Sequence, residues 1–400
     1  MKLSLNINRK KITVLFFCYG LLFSAYPYAF CQFLPIPNFQ FLYLAAILLL
    51  LIYFVFKKNV TYFPKFFWII CFVQFYFWLF LCFYHQDTSY FTRIVFSILS
   101  VLILQFVAIQ IGLIDFIKFN NKWLAIMSVG GAVTFFLVML LGLTPLFTYV
   151  NQDGRDAYCF GLTCTNVYWG NVIRYSGFFD EPGAIANWGM FALLYNKIFI
   201  NNRWVERALL ICLPFTLSMA FFIQVIFYFL FFYGRDIKKL FLILFILIST
   251  GTIVLPLIET TNKDLYKLTL ARFEYDESGG IKGNSRADLT EKAKAQFLRK
   301  PILGVGAKKL ESIDYMSDNP YEVLAKDGIL GMLIMYLPIL IIAYNKRKDK
   351  NILSVLIILS MGYLQRPYHI DLLHPTMLYF FLIMVLQDKY NSKPIFYECE

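Results

Sequence analysis

The chain has 400 residues, of which 59% are hydrophobic, 19% aromatic and only 16% charged, with a formal net charge of +12. Soluble domains carry about 25% charged residues, so this composition excludes an ordinary soluble fold and indicates an integral membrane protein. Apolar runs long enough to cross roughly 30 Å of hydrocarbon recur along the whole length, so residues 1–400 read as one all-α, polytopic membrane domain.

In chain order, hydropathy places spans at Ile12 to Cys31, Phe39 to Phe56, Phe66 to Tyr84, Ile94 to Ile114, Trp123 to Tyr149, Ala184 to Ile200, Leu240 to Leu257, Ile329 to Tyr344, Ile352 to Leu364 and Ile370 to Leu386. The run from Ala208 to Tyr233 reads either as one long helix or as two short segments broken in "CLPFTLS", where Pro214 interrupts helical bonding. Two crossings put the basic clusters "GRDIKK" and "NKRKDK" both in the cytoplasm, as the positive-inside tendency asks. The expectation is therefore about 12 transmembrane helices with both termini cytoplasmic. The N-terminal "RKK" precedes an apolar run without a small-residue cleavage site, so that run is expected to be a retained first helix. The basic residues lie in separated short loops rather than one continuous stripe, which argues against a nucleic-acid partner.

Polar residues concentrate in two long outer segments, 150–183 and 259–328. Long loops in a compact protein are usually functional, so chemistry is expected on the outer face between them. In the first, "CFGLTC" sets Cys159 and Cys164 where an oxidising compartment permits a disulfide; spacing alone leaves that pairing open. The same segment ends in "RYSGFFDEPG". Pro182 suits the first turn of a helix, and Asp180 or Glu181 suits its cap, but capping does not account for Arg174, with Gly177 available to fold the backbone back.

The second segment contains "GNSRADLTEKAKAQFLRKPILGVGAKK". Ser285 and Asp288 open a short amphipathic helix near 286–299, Leu289, Ala293 and Phe297 form its apolar stripe, and Pro301 ends it. Arg286 on the first turn beside a helix N-terminus makes an anion site suited to a diphosphate, against the alternative of a helix lying on lipid headgroups. In "SDNPYEVLAKDGILG", Asn319 reads as an N-cap with Pro320 following and Glu322 three residues on, and Asp318 is left over as a candidate base. His85, His369 and His374 lack metal-ligand spacing and read as satisfied histidines near the outer ends of spans.

Three features in order, "RYSGFFDEPG" before a span, an Arg-headed helix closing in "RKPILGVG", and "DNPYEVLAKDGILG" leading into the next span, resemble bacterial O-antigen and capsular repeat-unit polymerases and the related O-antigen ligases. The resemblance covers roughly Arg174 to Gly331. It implies a GT-C-like glycosyltransferase architecture in the bacterial inner membrane, with the active site facing the periplasm. The implied activity is inverting transfer of a glycan from a polyisoprenyl (undecaprenyl) diphosphate carrier to a sugar hydroxyl, without metal or other cofactor. The implied partners are the lipid-linked oligosaccharide, membrane lipids and a chain-length regulator.

On the matching positions, Arg174 and Arg286 contact the diphosphate and Glu181 is the acidic residue and candidate general base, with Asp180 or Asp318 behind it; Asn319 and Tyr321 fall in the substrate-binding region. Asp318-Asn319 stands where ligases usually show a His-Asn or similar pair, which favours the polymerase. A different class, a transporter of lipid-linked glycans, would call for ionisable groups within the spans and related halves, and neither is apparent in the sequence.

Overall fold

The computed structural model describes residues 48–53, 63–150, 155–179, 181–234, 263–269, 287–313, 319–365 and 372–387, with a few isolated positions elsewhere. The expected spans Ile12 to Cys31 and Leu240 to Leu257, and Phe39 to Phe56 apart from residues 45, 48–53 and 56, lie outside the described residues. What is described is mostly helical. Among the described residues, four helical stretches, Lys65–His85, Ser89–Gln110, Leu113–Leu141 and Glu322–Asn345, are long and apolar enough to cross a membrane.

Helix α1 (Lys65–His85) shows how composition becomes architecture. Phe67, Ile70, Gln74, Trp78 and Leu81 recur at helical spacing and are buried. The opposite face exposes Phe66, Ile69, Phe72, Tyr76, Phe80 and Phe83, an apolar surface suited to lipid. Helix α2 (Ser89–Gln110) packs back on α1, and α3 (Leu113–Leu141) follows after Gly112, whose φ of 91° ends the preceding turn. This corrects the expected boundaries Ile94 to Ile114 and Trp123 to Tyr149. The polar "KFNNK" that hydropathy assigns to a loop is helical, with Asn120 and Asn121 buried, and Gly142 closes α3 in the left-handed region at φ 66°.

The all-α expectation is also corrected, because the first outer segment folds as short antiparallel strands: β1 (Phe147–Val150), β2 (Asp156–Cys159), β3 (Cys164–Thr165), β4 (Tyr168–Trp169) and β5 (Val172–Ile173). The first three form one sheet, with Tyr149 opposite Ala157 and Cys159 opposite Cys164; the last two form a hairpin. The facing cysteines are free thiols, Cys164 Sγ donating to Cys159 Sγ at 3.2 Å, so the structure brings the two residues together without a disulfide.

Helix α4 (Pro182–Tyr195) is buried along its whole length and ends in a π-helical turn, Asn196–Ile200. The ambiguous run resolves into two segments: α5 (Arg203–Cys212), a 3-10 turn Leu213–Thr216, and α6 (Met219–Tyr233). Pro214 sits in the turn and Leu217 takes φ 51°, so the break falls in "CLPFTLS" as read. The pair forms a hairpin: Glu206 near the start of α5 accepts a hydrogen bond from Tyr233 at the end of α6.

A short helix, α7 (Lys263–Thr269), precedes α8 (Ala287–Arg299). The stripe on α8 docks onto protein: Leu289 and Ala293 join Val305, Leu310, Ala325 and Tyr321 in a small core, and Phe297 packs near Tyr321. Helices α9 (Ala307–Glu311), α10 (Glu322–Met335), α11 (Leu337–Asn345), α12 (Lys350–Gln365) and α13 (Leu373–Leu386) complete the described chain. Like α4, α13 is buried over almost its full length. These two helices are the centre of the bundle, as expected of segments apolar all round that have no face to give to lipid or water.

Candidate functional site

The most built part of the polar segments is where the second of them meets a break in α10. Gly328 adopts φ 70° and ψ −172°, a conformation that interrupts helical bonding. The break strands carbonyls on its N-terminal side and amides on its C-terminal side, and "PILGVG" from the second outer segment satisfies both. Val305 and Gly306 donate N–H bonds to the carbonyls of Ala325 (2.8 Å) and Lys326 (2.9 Å), while Ile329 and Leu330 donate to the carbonyls of Pro301 (2.8 Å) and Ile302 (3.2 Å). Backbone meets backbone so closely that a Cβ on Gly304 would lie 2.3 Å from Lys326 carbonyl atoms, and one on Gly328 would lie 2.2 Å from the Ile302 oxygen. Non-helical backbone at membrane depth persists where another protein segment supplies its hydrogen bonds.

Beside the break, Asp327 is completely buried. Its Oδ2 accepts from Arg93 Nη1 at 2.6 Å and its Oδ1 from the Tyr90 hydroxyl at 2.8 Å. The Arg93 guanidinium lies 4.8 Å over the Trp78 ring and 4.7 Å over the Tyr90 ring, so the pair is walled by aromatic faces that attract a cation. Lys326, the residue before Asp327, is paired with Glu322 one turn earlier, both with little exposed side chain.

The turn between α1 and α2 clamps the same segment from the other side. His85 Nε2 lies 3.0 Å from the Leu303 carbonyl and must therefore carry the proton there. Asp87 accepts N–H bonds from Lys308 and Ser89, each 2.9 Å. Burial alone would raise the Asp87 carboxyl, but these amide donors outweigh it and hold the group below the ordinary carboxylate range.

Below the ion pair is a cavity of about 60 Å³ lined by Gln74, Arg93, Tyr336, Tyr363 and His374 among others. That is water-sized; ligand pockets run to about 300–1,000 Å³. His374 is buried rather than interfacial, correcting the expectation: its ring packs 4.1 Å from Trp188, and Asn187 Nδ2 lies 3.0 Å from its Nε2.

Arg174 is half-buried and donates from Nε to the Thr216 carbonyl (3.0 Å) and from Nη2 to that of Leu217 (3.2 Å). It thus fastens the first outer segment to the tip of the α5–α6 hairpin, where a cation suits carbonyls at a helix end. Gly177 folds the chain back at φ 62°, with its carbonyl accepting from Cys164 N. Glu181 immediately precedes α4 and makes no side-chain capping bond, although Pro182 takes the first helical position as read. The expected cap at Asn319 is corrected: the helix begins at Glu322 with Tyr321 at the cap position, and buried Asn319, whose Oδ1 accepts from Tyr321 N at 2.9 Å, and Pro320 form a turn ahead of it. Asp180, Arg286, Asp318, His369 and the cap residue Ser285 lie outside the described residues.

The structure therefore joins "RKPILGVG" directly to "AKDGILG". Arg174 of "RYSGFFDEPG" bonds instead to the tip of the α5–α6 hairpin. The two long segments also touch where Lys267 of α7 lies 5.5 Å over the ring of Trp169. Sequence reasoning missed Arg93, Tyr90 and Asp327. The signal was present, since an arginine at the edge of an apolar run is by default a functional candidate, but the expected span began one residue too late to include it. No family model matches the chain, and neither a curated protein nor a solved structure is found to be similar to it.

Proposed function

We propose that this protein is a polyisoprenyl-diphosphate-dependent glycosyltransferase that polymerises lipid-linked repeat units of O-antigen or capsule. In this reading it is a GT-C-like protein of about 12 crossings in the bacterial inner membrane, with both termini cytoplasmic and its site facing the periplasm. The acceptor hydroxyl attacks the anomeric carbon as the bond to the diphosphate oxygen breaks. The diphosphate leaves with the electron pair, the anomeric centre inverts, and the hydroxyl proton passes to the Glu181 carboxylate. Because the leaving group carries its own charge, the protein chiefly stabilises that charge and orients the acceptor. Arg174 and Arg286 are the proposed diphosphate clamp, with Asp180, Asp318, Asn319 and Tyr321 around the sugar.

The observation that carries the reading is the seating of "PILGVG" in the α10 break, which turns two of the three motif segments into one rigid structure. The test is reconstitution of the full chain in liposomes with undecaprenyl-diphosphate repeat units and no nucleotide sugar. Gel analysis should show long glycans with wild type and none with Arg286→Ala; long glycans from Arg286→Ala count against the clamp. In cells, deletion should leave a single repeat unit on lipid A core. Core with no repeat points instead to a ligase.

One observation favours a second reading, a lipid-linked oligosaccharide transporter. A helix interrupted next to a buried ion pair is an arrangement that transporters use for substrate and coupling sites. Proteoliposomes that move carrier-linked glycan across the bilayer without lengthening it would select this reading.

A further inference from the structure

The end of the bundle opposite Arg174 carries a second polar structure, which neither reading uses. Helix α6 runs from Met219, next to the Leu217 carbonyl that Arg174 holds, to Tyr233; its 15 residues span roughly 22 Å at 1.5 Å per residue. At that far end, the chain turns sharply between the π-helical close of α4 and the start of α5. Asn196 Nδ2 donates to the Asn202 carbonyl (3.0 Å), Asn202 N returns a bond to Asn196 Oδ1 (3.1 Å), Asn201 takes φ 57°, and the Asn202 side chain caps α5 by accepting from Trp204 N and Val205 N.

This pinned turn sets Lys197 against Glu206 at 3.1 Å. Glu206 also accepts from the hydroxyls of Tyr228 and Tyr233, so its charge is taken up internally. Arg203 and Arg207, one turn apart on α5, line a cavity of about 500 Å³ together with Lys197, Asn201, Glu206, Leu210, Phe229 and Tyr233. Its three cations outnumber the one carboxylate, which is already bonded internally, and Leu210 and Phe229 give the lining an apolar side. Outside it, Trp204 and Ile211 on the outward face of α5 are 50% and 65% exposed. The "NKRKDK" turn lies at the same end, because Asn351 just beyond it lines a smaller cavity with Lys197, Phe231 and Phe232. Basic residues gathered at one end mark it as cytoplasmic, and an exposed tryptophan marks the depth of the headgroups.

We propose that this pocket binds an anionic phospholipid of the cytoplasmic leaflet, its phosphate held by Arg203, Arg207 and Lys197 and an acyl chain lying along Leu210 and Phe229. A free phosphate would use only the cations, whereas a lipid phosphate with its acyl chain also uses the apolar side. Basic pockets between helices on the cytoplasmic side suit anionic headgroups in this way.

The test is native mass spectrometry of the full chain purified in detergent and supplied with phosphatidylglycerol or zwitterionic phosphatidylcholine. Wild type should retain phosphatidylglycerol in preference, and Arg203→Gln/Arg207→Gln should retain it about thirtyfold less, at about fivefold per cation. Arg203→Lys/Arg207→Lys should keep most of the preference. Inorganic phosphate in large excess should not displace the lipid; displacement would make this a soluble-anion site and overturn the proposal. Equal retention of both lipids by wild type overturns it whether or not the glutamine variant folds, as does undiminished retention by a glutamine variant with wild-type melting temperature.

Discussion

Two acid–base pairs lie at opposite ends of the bundle, and they are built on different principles. At the end that holds the "PILGVG" segment, Arg93 and Asp327 have side chains 7% and 0% exposed and join segments 234 residues apart. At the other end, Lys197 and Glu206 are 20% and 8% exposed and nine residues apart, tied by one local turn. The first pair is desolvated and boxed by Trp78 and Tyr90, so each charge depends on the other. The second pair shares its load with two tyrosine hydroxyls and has water within reach of the lysine. Burial of a charge is tolerated in proportion to how completely its partners replace water, and the first pair meets that demand with long-range contacts where the second uses a turn.

The sharpest way to break this contrast is Asp327→Ala. It leaves the Arg93 guanidinium buried without its counter-charge, and the expected loss is about 3–5 kcal/mol, read as a fall in melting temperature in detergent. Replacing both members together, as Arg93→Met with Asp327→Leu, should recover much of that loss; a double variant as unstable as Asp327→Ala would mean that the pair is not the source of the effect.

Next in size is Gly328→Ala, which forces a side chain into a left-handed position against the Ile302 carbonyl. Backbone strain of this kind costs about 1–3 kcal/mol, and the predicted signature is local: trypsin should cut after Arg299 much faster, because the "PILGVG" segment loses its seat. Unchanged cleavage would detach the glycine from that role.

Glu206→Ala at the other end should cost only about 1–2 kcal/mol, since Lys197 can turn to water. A loss equal to that of Asp327→Ala would erase the proposed difference between the two ends.

The smallest effect is that of Asp87. Its carboxyl sits below the usual value of 3.8 in the folded protein. The stability it contributes is therefore present above that value and lost as pH falls through the lower, folded one. Asp87→Asn should lower the melting temperature slightly at neutral pH, and the gap from wild type should close progressively below about pH 4. A gap that persists unchanged at pH 3 would show that the amide bonds from Lys308 and Ser89 do not depend on the charge.

Much of the fold was legible in the sequence because hydropathy is a local sum. Helices α1 and α2, the break at Pro214, the stripe on α8 and the turn at Asn319 each follow from residues within a few positions of one another. Boundaries failed where a local rule was overridden. The polar "KFNNK" enters α3 because the helix continues past its apolar stretch, and Asn120 and Asn121 find burial inside the bundle. The short strands of the first outer segment carry no long alternating pattern, so they were read simply as loop.

By itself, the sequence determined that this chain is apolar throughout, that its helices are long and lipid-compatible, and that its polar residues gather in two segments beyond them, since each of these is set by composition over a short window. Only the tertiary structure decided that Arg93 and Asp327 neutralise one another, that "PILGVG" fills the gap opened by Gly328, and that His374 belongs to the interior. Partners that far apart in the chain leave no mark on the residues beside them; they are selected when packing removes water and every buried charge or stranded backbone group has to find its match.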